Sequence, residues 1–209
     1  MDNIESETDA STHDICVLYG EKILASQLSH VESKGYDFAP PFKVMTIQLY
    51  LIGVMWRHGE GLDSVSNPRE HAMESLHKML LKTGMSNKNA GKRIVLLKDL
   101  SREEDSSETL AVTAGYEAKE DDNSLDMIFD EYRDETRVSG ALWRFYSRGK
   151  KFMLLGGGGV GFLALFFSKI YSPSSSLMSV LTLGLLAAAL VVVPTFIIGA
   201  LIYRAKYKK

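Results

Sequence analysis

Gly156, Gly158 and Gly161 follow a short apolar run with the G-x-G-x-x-G spacing that lets a backbone approach a pyrophosphate. That chemistry also needs a strand–turn–helix setting and an acidic side chain about twenty positions on, to hold a ribose. No Asp or Glu occurs after Glu135, and the stretch beyond the glycines is almost uncharged. No Gly-Lys-Ser/Thr completes a phosphate loop either. No cofactor is expected here.

The remaining chemistry-bearing residues are weaker. His71 and His77 stand six apart, about 240° around a helix, so they do not share a face. Glu74-x-x-His77 is half of a carboxylate-bridged di-iron pattern, without a second half. The stretch 121–127, DDNSLDM, is acidic, but Leu125 or Met127 stands where a calcium loop needs oxygen. No metal site is expected. Cys16 lies among Ile15, Val17 and Leu18, which favours a buried small hydrophobe, and a single cysteine forms no internal disulfide. No Ser/His/Asp order or zinc spacing occurs, so no catalytic residue is assigned and the expectation is a non-enzyme.

Charge divides the chain. All 26 acidic residues lie at or before Glu135, whereas ten of the 24 Lys/Arg lie from Arg137 onward. Residues 1–136 therefore carry −12 and the remainder +10. The acidic part repels phosphate, which argues against nucleic acid as a partner. Its start, MDNIESETDASTHD, lacks the basic opening and apolar core of a secretory leader, so none is expected.

The elements that position these residues read as helices. Residues 1–10 form a polar tail, and a helix begins at Ser11 or Thr12 and ends at Gly35. Two prolines make GYDFAPP a turn. The next stretch, FKVMTIQLYLIGVMWRHG, is apolar nearly all round but shorter than the ~20 residues a bilayer requires, so it reads as a central core helix, with an interfacial helix as the minority alternative. Asn67, Pro68 and Glu70 give cap, first turn and third position of a helix that runs to Gly84. Ser86 caps the next, and Ser101-x-x-Glu104 is a capping-box pattern for another. No run alternates long enough to argue a sheet. The expected fold is all-α, with an N-terminal helical bundle of five or six short helices over residues 11–135.

Between Ser101 and Glu135 stand 13 acidic and three basic residues. Such a run is either a solvated face or a docking surface for a basic partner. The candidates are Glu103, Glu104, Asp105, Glu120, Asp121, Asp122, Asp130 and Glu131.

Residues 136–151 are a basic juxtamembrane segment, followed by apolar stretches at 152–171 and 177–203 with a loop at 172–176 between them. The second exceeds the ~20 residues of a span, and the first is marginal. Arg148, Lys150 and Lys151 border the first, while Arg204, Lys206, Lys208 and Lys209 follow the second. The positive-inside rule then predicts a two-helix transmembrane hairpin with both termini cytoplasmic, in a bacterial inner membrane or an organellar one. Gly157, Gly161, Ala164 and Ser168 form one small-residue face, and Gly184, Ala188, Thr195 and Gly199 form another. Such faces let helix backbones approach closely in lipid, between the two spans or in a homo- or hetero-oligomer.

The function class expected is a membrane-anchored scaffold, adaptor or regulatory subunit acting by protein–protein contact. Its partners would be the lipid bilayer and other membrane or cytoplasmic proteins, basic ones among them. The alternative is a membrane-inserting effector or pore-former built on the same hairpin, and an enzyme with an unrecognised helical site is a third reading.

Overall fold

The apolar stretch after the two prolines fits only at the centre of a helical packing, because it has no polar face to turn outward. The computed structural model, which describes residues 2–102, 107–120, 122–133, 138–171 and 177–207, is all-helical. It divides into two compact units, residues 1–135 and 136–209.

In the first unit, α1 (Asp2–Ser33), α2 (Pro40–Glu60), α3 (Pro68–Lys82), α4 (Asn87–Leu100), α5 (Ser107–Glu117) and α6 (Ser124–Glu131) follow in order. Helix α2 packs against α1, α3, α4 and α5. It buries Leu49, Tyr50, Leu51, Ile52, Val54 and Met55 almost completely. Pro40 and Pro41 open this helix instead of preceding it, since a proline in the first turn forfeits no helical hydrogen bond. Helix α1 starts at Asp2, ahead of the Ser11/Thr12 start that composition suggested.

Local signals set the other boundaries. Asn67 Oδ1 accepts from the Glu70 amide at 3.3 Å, and Pro68 fills the first turn of α3. Gly35 and Gly84 end α1 and α3 with φ of 63° and 89°, where a side chain would be strained. Ser101 closes α4, donating to Lys98 O, while its own carbonyl accepts from Arg69 at 2.8 Å; Glu104, the other half of the capping-box pattern, lies outside the described residues.

The close approach of α2 and α5 has a backbone cause. A Cβ on Gly53 would overlap Val112 O and lie 2.5 Å from Tyr116 N, and one on Gly115 would overlap Tyr50 O. The two helices touch main chain to main chain.

In the second unit, α7 (Gly140–Phe152), a π-helical turn (Met153–Gly157) and α8 (Gly158–Tyr171) run on as one helix of 32 residues. Helix α9 (Leu177–Tyr207) comes next and packs against α8, with Pro194 inside it. Both are long and apolar enough to cross a membrane, and only 6% of each apolar window is buried.

Candidate functional site

Three groupings carry functional side chains: the α8–α9 contact with its apolar exterior, the acidic α5–α6 region, and a polar cluster between α1 and α3.

Gly161 and Gly184 face each other where α8 meets α9. A Cβ on Gly161 would stand 3.3 Å from Gly184 O and 3.5 Å from Ala188 Cβ. One on Gly184 would stand 2.8 Å from the Leu165 side chain, and one on Gly157 would meet Val192 Cγ2 at 2.7 Å. Gly157, Gly161, Gly184 and Ala188 of the two small-residue faces are thus brought together, with Leu165 and Val192, which small-residue spacing cannot reveal. Ala164 is half-buried on α8. Ser168 lies on α8, and Thr195, Gly199, Arg204 and Lys206 on α9. Among the described residues the outward side is mostly apolar, with Leu154, Leu155, Phe162, Met178, Leu185, Leu190 and Phe196 each about two-thirds or more exposed.

Among the described candidates of the acidic segment, Glu120, Asp122 and Asp130 are engaged within the first unit. Glu120 pairs with Lys22 at 2.6 Å. Asp130 takes Lys34 at 2.7 Å and Arg133 at 2.5 Å, and the Tyr36 hydroxyl stands 2.7 Å from a carboxylate oxygen of both Asp126 and Asp130. Asp126, which acidic clustering alone does not single out, is buried and pairs with Lys34 at 2.5 Å. Burial, then the two carboxylates, push the Tyr36 hydroxyl up to about 12, so it stays a donor.

Asp122 closes the turn between α5 and α6. It accepts from the Lys119 amide, from the Ser124 amide and hydroxyl, and from Gln27 Nε2 at 2.7 Å. Gln27 is fully buried; it also donates to Asp122 O at 2.6 Å and accepts from the Leu125 amide at 3.4 Å. Glu131 stays exposed and lines a groove of about 470 Å³ between α5 and α6, with Leu110, Ala114, Met127 and Ile128 as apolar lining and Glu117 beside them. Glu103, Glu104, Asp105 and Asp121, like Lys208 and Lys209 at the other end, lie outside the described residues.

These pairings give the first unit an acid limb. Burial alone would raise the Asp122 carboxyl, but the hydrogen bonds from Ser124, Lys119 and Gln27 outweigh it and hold it below its usual range. Lys34 and Tyr36 hold Asp130 low in the same sense. A depressed carboxylate stabilises fully above its unfolded value of about 3.9, and the contribution is lost as pH falls through the folded value. Urea midpoints are therefore expected to drop below about pH 4. Ser124→Ala, which removes a donor to Asp122, should make that drop shallower.

The third grouping joins helices far apart in sequence. His13 Nδ1 lies 2.9 Å from Ser75 Oγ, its Nε2 lies 3.3 Å from Glu74, and its ring stacks on His71 at 4.0 Å. Cys16 Sγ lies 3.7 Å from His71 Nδ1. Cys16 is fully covered and burial pushes its thiol up, so it stays neutral and shielded, unlike a nucleophile. Among the described residues, no three His, Cys, Asp or Glu side chains group as metal ligands. Sequence spacing paired Glu74 with His77; the structure instead sets Glu74 and His71 against His13 and Cys16 of α1.

No protein-family model, curated protein or solved structure matches this chain.

Proposed function

We propose that the chain is a membrane-anchored helical adaptor or regulatory subunit, with residues 136–209 as the anchor and residues 1–135 as the part that meets other proteins. The observation that carries this reading is the apolar exterior of α8 and α9. Side chains such as Leu155, Tyr171, Met178 and Leu190 are three-quarters exposed or close to it, and lipid is the surrounding that removes that cost. The tight α8–α9 contact at Gly161 and Gly184 fits the close packing that replaces the hydrophobic effect inside a bilayer. Basic residues before α8 and at the end of α9 favour a hairpin with both termini in the cytoplasm.

In the first unit the groove between α5 and α6 supports a protein-binding role. Its apolar lining is edged by three carboxylates, Glu117, Asp122 and Glu131, against one cation, Lys119, a match for a cationic amphipathic segment of a partner protein.

Reporters fused after Tyr171 and after Lys209 test the hairpin: they are expected on opposite sides of the membrane, with residue 1 on the same side as Lys209. A Tyr171 fusion on the cytoplasmic side would overturn the two-span reading. Resistance to carbonate extraction separates an anchored subunit from an effector stored in soluble form, which would wash free.

A further inference from the structure

Helix α7 differs from the two apolar helices after it. Ala141, Leu142, Phe145 and Tyr146 gather on one side of its helical wheel, and Arg144, Arg148 and Lys151 on the other, with Trp143 and Lys150 together at the boundary beyond Tyr146. Trp143, Phe145 and Tyr146 are exposed at 39, 43 and 61%. Arg148, Lys150 and Lys151 are exposed too, and no acidic residue occurs after Glu135 to neutralise them within this unit.

Length then poses a problem. The continuous helix Gly140–Tyr171 has 32 residues, or about 48 Å at 1.5 Å per residue, against a hydrocarbon core of about 30 Å. If Tyr171 marks one edge of the core, the other edge falls near Phe152. A straight helix would then hold Trp143 about 13 Å beyond the hydrocarbon, outside a headgroup layer of roughly 5–8 Å. The aromatic face of α7 would stand in water.

The π-helical turn at Met153–Gly157 sits at this edge, and such turns are where helices bend. The glycines beside it divide by role. Gly157 and Gly161 meet α9, whereas a Cβ on Gly158 or Gly159 would touch nothing within 4 Å.

We propose that α7 is an interfacial helix that binds an anionic lipid surface, turned out of the span at the start of the π-helical turn, next to Phe152. Its aromatic rings enter the headgroup boundary, and its Arg and Lys side chains meet the lipid phosphates. This rests on the reading of residues 136–209 as a membrane anchor. Each basic side chain near such a surface multiplies the seated population about fivefold.

The test uses the full chain in nanodiscs of phosphatidylcholine, with or without phosphatidylglycerol, carrying lipids spin-labelled near the top of the acyl chain. The signal is the tryptophan quenching that disappears in Trp143→Phe. It is expected to be strong with phosphatidylglycerol, weak without it, and reduced by added salt. Arg148→Gln/Lys150→Gln/Lys151→Gln should abolish the lipid dependence. Equal quenching in both disc types, or a lipid dependence that survives the triple variant, overturns the inference and leaves the anchor reading intact. A chain that does not stay with the discs overturns both.

Discussion

Gly115→Ala and, separately, Gly53→Ala are expected to destabilise the first unit by about 3 kcal/mol or more. Each added Cβ would overlap a main-chain oxygen, Tyr50 O for Gly115 and Val112 O for Gly53. A side chain can rotate away from a methyl group; a carbonyl in a hydrogen-bonded helix cannot. Relief therefore requires α2 and α5 to part, which unpacks Tyr50, Ile52 and their neighbours in the core. For a unit of this size the melting temperature should fall by about 10 °C or more. Gly91→Ala is the control. Gly91 lies within α4 with no atom within 4 Å of the new carbon, so it should raise stability by about 0.5–1 kcal/mol through helix propensity. Circular dichroism melts of the three variants check the ordering, and a Gly115→Ala melt equal to wild type would rule out the main-chain crossing of α2 and α5.

Phe129→Ala should cost about 3–5 kcal/mol, the usual range for deleting a buried aromatic ring. Phe129 is fully buried, with its ring 5.3 Å from that of Phe38 and 5.9 Å from that of Tyr36. Helix α6 has eight residues, too few to persist without docking. Its loss should be local first: amide exchange across Ser124–Glu131 should rise while the amides of α2 stay protected. Undocking would also part Asp126 and Asp130 from Lys34. Met127→Ala on the same helix removes a side chain that is 69% exposed and should change stability by no more than about 0.5 kcal/mol.

The parts of this fold that were legible from sequence are those fixed by neighbours along the chain. Asn67, Pro68 and Glu70 announced α3, Gly84 its end, and the unbroken apolar surface of α2 its central place. The two apolar stretches announced two long helices, although α7 extends the first well beyond its apolar limit. What sequence hid depends on pairing over long separations. Counting acids marked Glu120, Asp122 and Asp130 as a surface for another molecule; the cation or donor for each includes one from α1 or the turn that ends it: Lys22, Gln27 and Lys34. Ser101 carried the right letters for a cap of the next helix, but Arg69 from α3 holds it at the end of α4. Gly53 did leave a trace. A glycine inside a helix gives up about 1 kcal/mol relative to alanine, so its presence amid bulky apolar residues implies a backbone neighbour. Which backbone, nothing near it in sequence could say.

The crossing of α2 by α5 also sets a schedule for synthesis. Gly53 leaves the ribosome roughly sixty residues before Gly115, an interval of about 3–12 s at 5–20 residues per second. Through that interval α2 presents an apolar surface whose main covering helix does not yet exist. Chaperone demand during translation should therefore concentrate in this window, and it should end once α5 has emerged and closed over the glycine.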